Sequence, residues 1–188
     1  MPGNAHMLNA PQSKSIFLVG PMGVGKTTVG RMLARDLNLR FRDSDHEIEK
    51  RTGADIPWIF DVEGEQGFRE REAKVIDDLT LAPDVLLATG GGAVLRDENR
   101  RCLSRRGTVV YLDTSVELQL KRTSRDKKRP LLQGGDQEQI LRELRRVREP
   151  IYQSVADLKV IVGSGSSRKV AAEILRKLRE NEYFEVCT

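Results

Sequence analysis

Two cysteines, two histidines and one tryptophan among 188 residues leave this sequence poor in the side chains that bind soft metals or build a disulfide framework. Cys102 and Cys187 stand far apart with no ligand spacing between them, so they read as two reduced thiols. His6 and His46 give no metal spacing either. No run approaches the roughly 18 apolar residues needed to cross a bilayer, and the N-terminus lacks the apolar stretch of a secretory signal. The expectation is a cytoplasmic protein with no membrane partner. Charge of one sign is also missing: a net charge of +4 would suit a nucleic-acid partner, yet acidic and basic residues are interspersed along most of the chain. Small anionic substrates account for the excess equally well. The length excludes two large domains and allows one with a real core.

Against these absences stands one dense motif, Gly20-Pro21-Met22-Gly23-Val24-Gly25-Lys26-Thr27, which matches G-x-x-x-x-G-K-[ST]. It follows the apolar run 16–19 and precedes Val29, Met32, Leu33 and Leu37, which recur at helical spacing. Strand, glycine-rich turn and helix are the context in which such a loop binds phosphate. The glycines let successive N–H groups curl around phosphate oxygens at the positive end of a helix. Gly23, Val24, Gly25, Lys26, Thr27 and Thr28 are therefore the expected nucleotide-binding residues, with the Lys26 cation on the β and γ phosphates and the Thr27 hydroxyl a ligand of Mg²⁺.

The remaining chain alternates strands with helices. Residues 1–14 read as a flexible tail, with Met7 an alternative start, 15–181 as one domain, and 182–188 as a second tail. Residues 39–42 form a short second strand that leads into Asp43-Ser44-Asp45, where Ser44 and Glu47 make a capping box for a helix ending at Gly53. If the backbone stays extended through Asp45, both carboxylates point the same way into a ligand crevice; the plainer alternative is a pair of solvated helix-start charges. Asp61 to Gly64 imitates the D-x-x-G of a GTPase, but no N-K-x-D string accompanies it, and Trp58-Ile59-Phe60 reads as one helical turn packed on the core. Phe68, Val75, Ile76 and Leu79 predict an amphipathic helix over 65–81, on which Arg69 and Glu72 are neighbours.

A buried strand over 85–88 ends in Thr89-Gly90-Gly91-Gly92, where many phosphate-loop proteins carry a magnesium-holding Asp. Glycines there allow a ligand to approach the backbone closely, or form a mere connector. A fourth strand over 108–112 is followed by a helix capped by Thr114 with Glu117. The charged run Arg125 to Arg129 before Gly134-Gly135 reads as part of a mobile lid over about 122–137, or else as a solvated basic loop or a nucleic-acid strip. Ile140, Leu141, Leu144, Val147 and Ile151 place Arg148 on the next helix; a fifth strand over 158–162 and a closing helix complete an α/β chain with a parallel sheet covered on both faces.

Taken together, the phosphate loop, Asp43-Ser44-Asp45, Gly64-Glu65-Gln66-Gly67-Phe68-Arg69, Gly90-Gly91-Gly92, Arg129-Pro130-Leu131-Leu132 and Arg148-Glu149-Pro150-Ile151-Tyr152 resemble the bacterial shikimate kinase family of P-loop small-molecule kinases, in the family's order and over roughly 15–180. The resemblance implies five strands in the order 2-3-1-4-5, and transfer of the ATP γ-phosphoryl group to the 3-hydroxyl of shikimate with one Mg²⁺ per ATP. It implies that Asp45 contacts the substrate hydroxyls and that Asp43 lies near magnesium, through water. Arg69 and Arg148 would hold the substrate carboxylate, with backbone contacts from Gly91 and Gly92. Arg129 would close on substrate and transferring phosphate, and Arg122 would lie against adenine. A monomer acting on ATP and shikimate, without nucleic acid, is the expectation. The rival readings are a gluconate or nucleoside monophosphate kinase, a nucleotide-gated nucleic-acid-binding module, and a GTPase.

Overall fold

Continuous apolar strands belong at the centre of a sheet and one-sided strands at its edges, and this chain follows that rule. The structure, a computed structural model, describes residues 14–124, 130–132 and 135–181. Strand β1 (Ile16–Val19) is buried throughout and pairs in parallel with β3 (Val85–Ala88) on one side and β4 (Thr108–Asp113) on the other. The edges are β2 (Arg40–Asp43), which carries exposed Arg40 and Arg42, and β5 (Leu158–Ile161), which alternates buried with exposed. The five strands run β2-β3-β1-β4-β5, all pairs parallel.

Each sheet face has its own core. Phe17, Val19, Leu87, Val109 and Tyr111 pack under α2 (Ser44–Thr52), α3 (Ile56–Leu81), α4 (Asp97–Arg106) and α6 (Gln137–Val155). Ile16, Leu18, Leu86, Val110 and Val160 pack under α1 (Lys26–Asp36) and α7 (Ser167–Glu180). A small third cluster joins Met22 of the phosphate loop to Val116 of α5 (Val116–Thr123), Leu132 and Leu141. It ties the 130–132 turn to the loop that the sequence marks for phosphate.

Several local expectations need correction. Strand β2 is shifted one residue, and α2 starts at Ser44, so the backbone is not extended through Asp45. The cap is Asp43, whose Oδ1 accepts from the N–H groups of Asp45 at 3.1 Å and His46 at 3.3 Å. Ser44 is instead buried, and its Oγ accepts from the Gly90 N–H at 2.9 Å. The cap of α5 is Ser115, not Thr114; the Thr114 hydroxyl donates to the Val162 carbonyl at 2.7 Å and joins the ends of β4 and β5. In both cases a side chain that could cap locally finds a buried tertiary partner.

The apolar triplet before the helix over 65–81 belongs to the same element: α3 runs through it and bends at Gly64, whose φ of 71° and ψ of 178° are not helical. Of the triplet only Ile59 is fully buried; Trp58 is exposed. Across the bend, Arg71 donates to both carboxylate oxygens of Glu63 at 2.7 Å. Gly67 leaves room for that fold-back, since a Cβ there would lie 2.6 Å from the Glu63 Cβ.

Candidate active site

The carboxyl ends of β1, β2 and β3 open on one side of the sheet, where an open α/β fold holds its ligands. Two cavities lie there, of about 290 Å³ and about 260 Å³, and they share Met22, Asp45, Gly90 and Gly91.

The first is walled by Gly23, Gly25, Lys26, Thr27, Thr28 and Asp43, with Arg122 at its rim. Helix α1 begins here after Gly25 at φ 102°, with no side-chain cap from that residue. Lys26 is nearly buried, with Nζ donating to the carbonyls of Gly20 at 2.7 Å and Pro21 at 2.8 Å. Val24 sends its side chain into the core. The Thr27 hydroxyl donates to Asp43 Oδ2 at 2.7 Å. Asp43 thus starts α2 with one oxygen and meets α1 with the other. Arg122 also braces the loop, with Nη1 donating to the carbonyls of Gly23 at 3.2 Å and Val24 at 3.1 Å, and Nη2 to that of Gly163 at 3.2 Å. Buried Gln119 holds the Met22 carbonyl in the same way at 3.0 Å, a contact that nothing in the sequence pattern announces.

The second cavity has apolar walls from Ile56, Phe60, Phe68 and Leu131 and a charged end made by Arg69, Glu72 and Arg148. The bend in α3 brings both halves of that helix onto it. Arg69 donates through Nη1 to Glu72 Oε2 at 2.7 Å and through Nη2 to Glu65 Oε1 at 3.1 Å. Its burial favours loss of the proton, but Glu72 and Glu65 outweigh this and raise its pKa. Glu72 is fully buried, and burial pushes its carboxyl above the usual range despite the pull of Arg69 and Arg148. Its Oε1 has no hydrogen-bond partner among the described residues. Arg148 comes from α6 and is also buried.

The glycine triplet is explained by what surrounds it. A Cβ on Gly90 would lie 2.7 Å from Glu72 Oε1 and 2.8 Å from Asp45 Oδ1; one on Gly92 would lie 2.2 Å from Arg69 Nη2. One on Gly91 would stand 3.3 Å from the Met22 N and 3.7 Å from Arg148 Nη1. The residues expected to meet the substrate therefore converge on the triplet, where only glycine leaves space at positions 90 and 92 and a side chain at 91 would be tight. Asp45, Arg69, Arg148, Gly91 and Gly92 are brought together as the sequence reading expects. Arg129, and with it most of the charged lid run, lies outside the described residues. Glu72 and Tyr152 were not among the expected site residues, although their spacing from Arg69 (i, i+3) and Arg148 (i, i+4) places each beside an arginine on its own helix.

A family model for shikimate kinase matches residues 22–179. The chain belongs to the shikimate kinase family. It is 57% identical over 170 residues to the shikimate kinase of Buchnera aphidicola subsp. Acyrthosiphon pisum, covering 90% of this chain and 98% of that one. The shikimate kinase of Vibrio vulnificus strain YJ016 is 55% identical over 170 residues, covering 90% and 99%. The solved structure of the Acinetobacter baumannii shikimate kinase in complex with shikimate matches with a TM-score of 0.89 at 53% identity, over 92% of this chain and 96% of that one. The fold of the family is the one described above, and ATP is its co-substrate. Among the described residues no helix is long and apolar enough to cross a membrane.

Proposed function

We propose that this enzyme transfers the γ-phosphoryl group of ATP to the 3-hydroxyl of shikimate, giving shikimate 3-phosphate and ADP on the route to chorismate and the aromatic amino acids. The observation that carries the reading is the junction: a phosphate-loop cavity and a cavity with an arginine pair at its far end meet at Asp45. A small hydroxy acid whose carboxylate sits on Arg69 and Arg148 presents a hydroxyl at that junction. Two planar guanidinium forks suit a carboxylate, and the N–H groups of Gly91 and Gly92 add neutral donors. The binding of shikimate by the 53% identical Acinetobacter baumannii relative supports the assignment.

Phosphoryl transfer passes through a loose transition state, so alignment and charge neutralisation do most of the work. Such a transition state makes little demand for early deprotonation, which makes orientation of the hydroxyl the first duty of Asp45. Lys26, Thr28 and the backbone of Gly23 to Gly25 hold the nucleotide phosphates and Arg122 lies against adenine; for Arg129, outside the described residues, the family resemblance alone supports a role toward the transferring group. The apolar walls of Ile56, Phe60, Phe68 and Leu131 help to keep water out.

The donor set fits Mg²⁺. Thr27 Oγ1 and Asp43 Oδ2 are hard oxygens 2.7 Å apart at the phosphate cavity. Among the described residues no group of three or more His, Cys, Asp or Glu could cage a metal. An ion that takes one or two protein oxygens and completes its shell with phosphates and water needs no more. Thr27 would hold it directly and Asp43 through water, and the bound ion would neutralise charge on the β and γ phosphates.

The proposal includes a cytoplasmic monomer that does not use nucleic acid. A coupled assay with MgATP and shikimate, gluconate or AMP as acceptor tests it. Turnover with shikimate alone is expected, and phosphorylation of gluconate but not shikimate overturns it.

A further inference from the structure

Tyr152 follows Arg148 by one helical turn on α6, and it is 2% exposed. Its hydroxyl donates to the Gly91 carbonyl. Burial pushes the phenol's pKa up to about 12, against the pull of the Arg148 guanidinium that adjoins the Tyr152 hydroxyl. The phenol therefore keeps its proton near neutrality and has one donor to give. The ring is fixed without help from any ligand: it stacks on Tyr111 with centroids 5.0 Å apart, and the Tyr111 hydroxyl adjoins Asp113, which Arg145 and Lys159 hold at 3.1 and 2.9 Å.

In a trans peptide the carbonyl and the following N–H point in opposite directions. A hydroxyl that captures the Gly91 carbonyl thereby turns the Gly92 N–H to the other side of the peptide. Neither the Gly91 nor the Gly92 N–H has a hydrogen bond among the described residues, whereas the Gly90 N–H is held by Ser44. Both glycines and Arg148 line the cavity with the arginine pair.

We propose that Tyr152 is a positioning residue for the substrate's carboxylate: its one hydroxyl sets the Gly91–Gly92 peptide plane and steadies the Arg148 guanidinium, so that a neutral and a charged donor converge on the same anion. The inference rests on the reading of this cavity as the shikimate site. It adds to that reading a residue outside the cavity's lining whose effect is confined to one functional group of the substrate.

The test is Tyr152→Phe, which keeps the ring and its stacking and deletes the donor. Wild type and variant are assayed with MgATP and either shikimate or its carboxylate-free analogue, in which the carboxyl is reduced to hydroxymethyl. Expected is a rise of about tenfold in KM for shikimate, with kcat and KM for MgATP within about twofold, and a penalty for the analogue near unity. 4-Aminophenylalanine at position 152 retains an N–H donor for Gly91 and should recover most of the loss. It also serves if the phenylalanine variant proves too unstable to assay. An equal penalty for shikimate and analogue, or a 4-aminophenylalanine protein no better than the phenylalanine variant, would mean a structural role only and overturn the inference. Failure of the functional reading looks different: the wild type itself would not phosphorylate shikimate.

Discussion

Gly25 and Gly92 stand in the two halves of one site and are glycine for opposite reasons. At Gly25 the backbone has φ 102°, and a Cβ would meet nothing within 4 Å. At Gly92 φ is −99°, open to any residue, but the Arg69 guanidinium occupies the space a Cβ would need. The phosphate half is thus built by the path of one contiguous loop, whose carbonyls Lys26, Gln119 and Arg122 hold from three sides. The acid half is built by convergence: Asp45, Arg69 with Glu72, the triplet and Arg148 arrive from four separate segments. A local path concentrates affinity for a repeated chemical group, the phosphate. A convergent pocket recognises one particular small molecule.

The sharpest break of this division comes from Lys26→Met. Loss of a cation that acts on transferring charge should lower kcat by at least about 10²- to 10³-fold. Equilibrium binding of shikimate should stay close to wild type, measured calorimetrically on protein whose circular dichroism spectrum is unchanged. If shikimate binding falls with kcat, the halves are not separable.

Next in size are Arg69→Ala and Arg148→Ala. Truncating one partner of a desolvated charge pair typically costs about 2–5 kcal/mol. The rise in KM for shikimate should therefore be on the order of 10²-fold or more, while KM for MgATP stays near normal. Equal losses on both substrates would refute a carboxylate clamp in this pocket.

The same contrast explains what could be read from the sequence. The phosphate loop is one string whose spacing carries its own mechanism, so roles for Lys26 and Thr27 could be proposed before any fold was known. The strand order and the arginine pair were reached only through resemblance, because nothing local joins Arg69 to Arg148, 79 positions on in the sequence. The caps were misread at Ser44 and Thr114 because helical spacing cannot show that Gly90 and Val162 arrive as competing partners. Glycine at 90–92 was read as room for a ligand; the structure adds that it is room for the protein's own charges.

Gly92→Ala against Gly25→Ala sharpens the opening comparison directly. At position 92 the added methyl displaces Arg69, so KM for shikimate should rise about ten- to hundredfold with little change for MgATP. At position 25 the penalty is conformational, about 1–3 kcal/mol for a non-glycine residue held at positive φ, and should fall on MgATP and on thermal stability. Reversed substrate dependence would show that the two glycines had been assigned to the wrong causes.

The smallest expected effect concerns Glu72, the carboxyl that the acid half buries beside its arginines. Burial raises its pKa in the folded protein above the ordinary value of 4.5. The unfolded chain therefore releases that proton at lower pH than the folded one, and the group's contribution is fully present below 4.5 and lost as pH rises through the folded pKa. Glu72→Gln cannot titrate, keeps an oxygen for Arg69, and escapes this loss. Other carboxyls, such as Glu47 and Asp77, are shifted down and run the opposite way, so the informative quantity is the difference in Tm between variant and wild type. That difference should move in the variant's favour by a few degrees between acid and neutral pH. A difference that stays flat, or favours wild type increasingly as pH rises, would mean that the arginines and not burial govern Glu72, and that the acid half is fully ion-paired before substrate arrives.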